Sequence, residues 1–241
     1  MATLLAALVA ASDRAAGTSS RLAKRDAIAE LLRGAAPDEV EIAVAWLSGE
    51  ARQGRIGVGW ATLGALRGTP AAEPQLTLGE VDAALAAVVA SAGKGSAAAR
   101  SATLRALFAR ATAAEQDFLV RLLIGELRQG ALEGVMLEAV AAAAAIPVAD
   151  VRRAAMVTGR LGEVARIALS EGEGHGAAGL ARFAVALHRP VQPMLATPAD
   201  DIAGAMARLG TAALEWKVDG ARVQVQRRAG PSRSTRAPSR T

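Results

Sequence analysis

Near the C-terminal end of the chain, Glu215, Lys217 and Asp219 stand at alternate positions in "EWKVDGARVQVQRRAG". In a strand, alternate residues share a face, so these three point one way and Trp216 and Val218 the other. Asp219-Gly220 is a strong hairpin-turn pair. The return strand then sets Ala221, Val223 and Val225 on one face and Arg222, Gln224 and Gln226 on the other. A lysine is ordinarily protonated, with a pKa of about 10.4. It becomes a nucleophile where burial or a neighbouring cation disfavours the ammonium form, and Arg222 on the adjacent strand is one such cation. A surface lysine beside a turn shows the same pattern, so the spacing alone leaves both readings open.

A second pattern occurs twice. Shifted by 76 residues, positions 19–54 lie on 95–130 without a gap, and 12 of the 36 positions are identical. Alanine matches are cheap here, but "GEARQG" (49–54) and "GELRQG" (125–130) agree at five of six places. In each copy an apolar helix runs into G-E-x-R-Q-G and another apolar helix follows. The final glycine, Gly54 or Gly130, suits a helix end or a tight turn. The next helix would begin with free N–H groups and a positive dipole end beside Arg52 or Arg128, which is a phosphate-binding arrangement. Gly49 and Gly125 open the two turns. Helix–helix turns whose arginines pair with Glu50 and Glu126 would give the same pattern. Two copies suggest a duplicated unit packed about a pseudo-twofold; they are too few for a solenoid. Farther on, Arg152 and Arg153 in "ADVRRAAMVTGRLGEVARIAL" (149–169) could reach phosphate or form a solvated helix face.

The elements that must position these residues are mostly helical. Of the 241 residues, 52% are hydrophobic, much of that alanine, and only 2% are aromatic, a composition that favours helices. Apolar residues recur at helical spacing in Leu22–Ile28–Leu31–Leu32, Val40–Val44–Leu47, Leu104–Leu107–Phe108, Phe118–Leu122–Leu123 and from Val135 to Ala145. Ser19 or Ser20, Asp38, and Thr77 with Glu80 read as N-caps, the last as a capping box. Pro147 reads as a first-turn proline. "GEGHG" (172–176) is a loop, and Gly159–Gly162 breaks a helix. "RPVQPMLATPADD" (189–201) holds three prolines and reads as a linker before a short helix, 200–209.

The formal net charge is +5, with 28 basic and 23 acidic residues. Residues 221–241 hold six arginines and no acid, which leaves 22 basic against 23 acidic residues, or −1, for 1–220. Nucleic-acid binding by the main body must therefore come from local patches. The chain has no cysteine, which excludes disulfides and thiolate metal sites, and its two histidines cannot build a His-rich metal site. The apolar N-terminus lacks the basic region of a signal peptide, and no apolar run approaches the roughly 18 residues of a membrane span. A cytoplasmic protein with no membrane partner is expected.

"EWKVDGARVQ" resembles motif I, E-x-K-x-D-G-x-R, of the covalent nucleotidyltransferases: DNA ligases, RNA ligases and capping enzymes. "RPVQPMLA" resembles the linker that precedes this motif in ATP-dependent DNA ligases. The repeated helical region with "GELRQG", together with "VRRAAMVTGRLGEVARIAL", is similar to the N-terminal DNA-binding domain of such ligases. The resemblance covers roughly residues 1–228, and RNA ligation or capping would leave the helical repeat unexplained.

The resemblance implies a mainly all-α chain. Its parts would be a duplicated helical DNA-binding domain (1–187), a linker (188–199) and the hairpin start of an α/β nucleotidyltransferase domain (200–228). It implies that Lys217 attacks the α-phosphate of ATP to form lysyl-AMP, that Glu215 helps read adenine, and that Asp219 and Gly220 shape the turn presenting the lysine. Arg222 would contact the ribose or the DNA 5′-phosphate, and Mg²⁺ would offset phosphate charge. AMP would pass to the 5′-phosphate of a nick in duplex DNA and be displaced by the 3′-hydroxyl, in replication, repair or recombination. No metal ligands of the chain's own are expected, and a monomer is. Arg52 and Arg128, with Gly49, Gly54, Gly125 and Gly130, become the DNA-contact candidates, joined by Arg152 and Arg153.

No further nucleotidyltransferase motif follows residue 228, so the chain is expected to bind DNA without sealing nicks alone. Residues 229–241 are expected to be a disordered or frame-shifted tail. A non-catalytic DNA-binding module and a helical protein-binding scaffold are the competing readings.

Overall fold

A computed structural model describes residues 2–54, 56–93, 95–127, 133–170, 175–192, 199–214, 216, 223–227 and 233–236. Among them are the helices α1 (Leu5–Ala16), α2 (Arg21–Gly34), α3 (Val40–Leu47), α4 (Trp60–Leu66), α5 (Leu78–Ala90) and α6 (Ser96–Ala109). There follow α7 (Ala113–Ile124), α8 (Glu133–Ala144), α9 (Val148–Thr158), α10 (Leu161–Leu169), α11 (Gly176–Ala181) and α12 (Ile202–Leu209). Two short strands, β1 (Val223–Gln226) and β2 (Arg233–Arg236), pair antiparallel. The chain is thus mainly helical, as its composition predicts.

Capping chemistry sets several helix starts. The Ser20 hydroxyl accepts from the Ala23 N–H at the start of α2. Thr77 and Glu80 form a complete capping box on α5, and Thr112 and Glu115 form another on α7. Glu80 also accepts from Arg110 at 2.8 Å. The Thr77 backbone N–H and the Arg110 guanidinium are the main causes that hold its carboxyl at a pKa of about 2. Asp38, expected as a cap, is not one: the residue before α3 is Glu39, whose carboxylate turns elsewhere. Pro147 is the N-cap of α9 rather than its first residue.

The core comes from α1–α11. It runs from Leu5 to Leu180 and is filled by Trp46, Phe108, Phe118 and many Leu, Val and Ala side chains. Alanine at the interfaces lets helices approach closely. Between α2 and α8, the absence of a side chain at Gly134 leaves room for Arg21, whose Nη2 would lie 2.8 Å from a Cβ there. Arg21 reaches across to Glu138 with two parallel bonds of 2.9 Å. Glu39 is buried yet fully employed. Its two oxygens accept from the Thr3 N–H at 2.6 Å and the Gly79 N–H at 3.0 Å, tying the N-terminus to the first turn of α5. A buried carboxylate is tolerated when it is hydrogen-bonded in this way.

The chain beyond α11 is different. No residue of α12 is buried, and Ile202, Leu209, Leu214, Trp216, Val223 and Val225 are all exposed. The expected short helix at 200–209 is present as α12, capped by Asp201. The turn and most of the first strand of the expected hairpin across Asp219-Gly220 lie outside the described residues. β1 pairs with 233–236, Val223 opposite Arg236 and Gln226 opposite Arg233. A paired strand therefore occupies part of the 229–241 segment expected to lack structure.

One helix end is strained. The Ile146 N–H bonds back to the Ala141 carbonyl at 3.0 Å, which places Ala145 in the left-handed position that glycine favours, with φ 53°. Ala145→Gly is expected to raise stability by about 0.5–1 kcal/mol, because it removes the Cβ penalty at that position. A thermal melt checks this, and an unchanged or lower midpoint would contradict it.

Candidate nucleic-acid interface

The repeated turns begin where two helices stop. At the end of α3 the Glu50 N–H bonds to the Ala45 carbonyl at 3.0 Å, with Gly49 at φ 85°. At the end of α7 the Glu126 N–H bonds to the Arg121 carbonyl at 2.9 Å, with Gly125 at φ 75°. Both are helix ends in which a left-handed glycine lets the next amide reach five residues back. The first glycine of G-E-x-R-Q-G is therefore the helix terminator. Gly54 closes a tight turn, its N–H bonding to the Ala51 carbonyl at 2.9 Å with φ 67°. The expectation that a helix N-terminus follows directly is not met in the first copy, since α4 starts at Trp60.

The two turns lie against each other. A Cβ on Gly49 would sit 3.2 Å from the Leu127 carbonyl oxygen. Under the 76-residue shift α2 overlies α6 and α3 falls within α7. Glu39 and Glu115 also correspond under that shift, and both are buried.

Arg52 does not pair with Glu50. Its Nη1 lies 3.3 Å from Oδ2 of Asp82 on α5, and its side chain is 41% exposed. Gln53 Nε2 donates to the Asp82 carboxylate at 2.9 Å and to the Asp82 carbonyl at 3.1 Å. Asp82 thus holds both residues and leaves further guanidinium N–H groups of Arg52 for another acceptor.

Arg52 lines a cleft of about 390 Å³ together with Glu41, Ala45, Arg160, Gly162, Glu163 and Arg166. Arg160 pairs with Glu163 at 2.6 Å and Arg166 with Glu41 at 2.7 Å. Gly162 lies close to Glu41, since a Cβ there would be 3.5 Å from the Glu41 backbone, an ordinary packing distance. Three arginines held in place by carboxylates, each with spare donors, can receive phosphate oxygens. Arg160 and Arg166 were not among the sequence candidates. The Gly159–Gly162 break was the available signal, because it marks where the chain turns to bring Arg160 and α10 back onto α3.

Arg153 serves the fold: it donates to the Phe183 carbonyl at 2.7 Å and the Leu180 carbonyl at 2.6 Å, capping the end of α11. Arg152 is exposed and close enough to Glu138 to lower its pKa, after the larger effect of the Arg21 hydrogen bond. Arg128 and Gly130 lie outside the described residues, as do Glu215, Lys217, Asp219, Gly220 and Arg222. Trp216, their neighbour, is 95% exposed. Among the described residues no group of three or more His, Cys, Asp or Glu side chains could hold a metal ion. Among them, too, no helix is long and apolar enough to cross a membrane.

Residues 61–141 match the family described as DNA ligase N terminus. The chain is 55% identical over 231 residues to a "Probable DNA ligase" of Anaeromyxobacter sp. (strain Fw109-5), covering 95% of this chain and 44% of the relative. It is 51% identical over 225 residues to one of Rhodococcus jostii (strain RHA1), covering 93% and 44%. It is 53% identical over 229 residues to one of Mycobacterium marinum (strain ATCC BAA-535 / M), again covering 93% and 44%. The chain therefore spans less than half the length of these relatives.

The two glycine helix ends differ in what surrounds them, and this is measurable. Among the described residues Gly125→Ala meets no atom within 4 Å, so it should cost only the left-handed backbone penalty, about 1 kcal/mol. Gly49→Ala adds the 3.2 Å contact with the Leu127 carbonyl and should cost clearly more, about 2 kcal/mol. Denaturant titration of both variants compares them; equal losses would mean that the two turns do not abut.

Proposed function

We propose, for a chain that belongs to the ATP-dependent DNA ligase family, that α1–α11 hold duplex DNA by its phosphate backbone so that a nick can be sealed. The observation that carries this reading is the pair of glycine-ended turns set side by side, with Arg52 anchored on Asp82 beside the cleft of Arg160 and Arg166. Arginines anchored by carboxylates suit an anion such as phosphate, and phosphate contacts position a protein on DNA without reading sequence. The correspondence of the two turns under the 76-residue shift supports treating them as copies that meet two stretches of one duplex. Arg128, by its place in the second copy, is taken as the counterpart of Arg52. Arg152 remains a candidate, whereas the bonds of Arg153 favour a role in the fold.

The nucleotide part of the reading rests on the sequence pattern. Lys217 is the proposed nucleophile toward ATP, with Glu215, Asp219, Gly220 and Arg222 handling the nucleotide. Mg²⁺, when bound, would offset the charge of the phosphates. Nicked duplex is the proposed substrate, and replication, repair or recombination the setting.

Binding of this chain to duplex DNA should show little sequence preference. The logarithm of its affinity should fall with the logarithm of salt by a slope of about −0.9 per phosphate neutralised. Arg52→Ala with Arg128→Ala should weaken binding and flatten that slope by about two, since each arginine should account for about one phosphate. Fluorescence anisotropy across a salt series checks this. A folded double variant with the parental slope would remove the turns from the interface and favour a helical protein-binding scaffold instead.

A further inference from the structure

Where the chain leaves the helical body, two side-chain amides make its defining contacts. The Arg189 N–H bonds to the Ala186 carbonyl at 3.3 Å, closing a turn in which His188 has φ 65°. The residues after it, up to Gln192, are gripped from both sides. On one side Gln224 Oε1 accepts from the Val191 N–H at 2.9 Å, and Gln224 Nε2 donates to the Val191 carbonyl. One amide thus satisfies both backbone groups of one residue, as a residue of a neighbouring strand would. Two positions along β1, on the same face, Gln226 Nε2 donates to the Arg189 carbonyl at 2.8 Å. The order 224 with 191 and 226 with 189 is that of an antiparallel pair. On the other side the Gln192 N–H donates to the carbonyl of Met156 in α9 at 2.8 Å.

Among the described residues, the two valines of β1, Val223 and Val225, are exposed and add no buried apolar contact to these bonds. A non-glycine residue in the left-handed region persists only where its surroundings over-determine it. Among the described residues beyond the turn at His188, this clasp and the Met156 bond are the hydrogen bonds that tie 189–192 to other elements.

We propose that Gln224 and Gln226 are positioning residues. They clasp the linker at Arg189 and Val191 and so hold β1, which follows Lys217 in sequence, in one register with the linker, itself bonded to α9 through Gln192. Two bonds to one residue make register, more than affinity, the property secured: a shift by one residue would face Gln224 with the wrong backbone groups. The importance of this for nucleotide chemistry rests on the function proposed above, but the clasp itself does not.

The chain has no cysteine, so spin labels can be placed on introduced cysteines alone. Ala149→Cys in α9 and Val225→Cys in β1 are both at exposed positions. Electron–electron double resonance on the full chain, without DNA or ATP, should give a narrow label–label distance distribution. Gln224→Ala with Gln226→Ala should widen it at least twofold while leaving the helical circular dichroism unchanged. Gln224→Glu should widen it at neutral pH, where a carboxylate faces the Val191 carbonyl. It should narrow again below the carboxyl pKa, about 4, where the acid regains a donor. A distribution already broad in the parent, or equally narrow in the double alanine variant, would overturn the proposal. So would loss of the helical signal in that variant, since the two residues would then serve the body and not the clasp. Failure of DNA binding leaves this measurement untouched.

Discussion

The approach of Gly49 to the carbonyl of Leu127 is the contact on which the proposed interface depends. It exists because two helices stop the same way, each with a left-handed glycine and an amide reaching five residues back. A side chain at Gly49 would be strained by its φ of 85° and would need the Leu127 carbonyl to give way by a small amount. The turn is held from a third direction by Asp82, which binds both Arg52 and Gln53. Asp82 is itself placed by the capping box at the start of α5 and by Glu39, which bonds to the Gly79 N–H. A short sequence of polar contacts thus runs from the buried Glu39 to the exposed Arg52.

That arrangement needs a core in which helices sit close. Alanine gives little hydrophobic surface per residue but permits close packing, and at Gly134, between α2 and α8, the missing side chain leaves room for Arg21. Volume is made up by a few large side chains, with Trp46, Phe108 and Phe118 wholly buried. The C-terminal segment has no such core among its described residues. Its apolar side chains face solvent and its described contacts to the rest of the chain are polar. The two parts of the molecule therefore differ in the kind of force that orders them.

Much of the helical body was legible because its signals are local. Ser20, and Thr77 with Glu80, act over three residues and hold in the structure; the box at Thr112 and Glu115 has the same signature and could have been found the same way. Asp38 has the chemistry of a cap, but Glu39 beside it is drawn into the core by Thr3 and Gly79, contacts 36 and 40 residues distant that no local rule contains. For the same reason the repeat pointed to the turns but not to the partner of Arg52, which lies on α5, nor to Arg160 and Arg166, which reach the cleft through the packing of α10 on α3. Arg153 looked like Arg152 in sequence; only the end of α11 tells them apart. Strand pairing was the least legible. The alternation in 223–226 marks a strand but does not choose its partner, and nothing in that alternation points to the pairing with 233–236. The resemblance to nucleotidyltransferases rested on residue identities at fixed spacing, and the similarity to DNA ligases agrees with it.

The central claim is that the two turns act together on one duplex. An amide-resolved NMR titration of the chain with a short nicked duplex tests it most directly. The account predicts that the amides of Gly49, Gly54 and Gly125 shift together along one binding isotherm, while those of the α11 end, capped by Arg153, stay still. Shifts confined to one turn, or two turns following different isotherms, would contradict it.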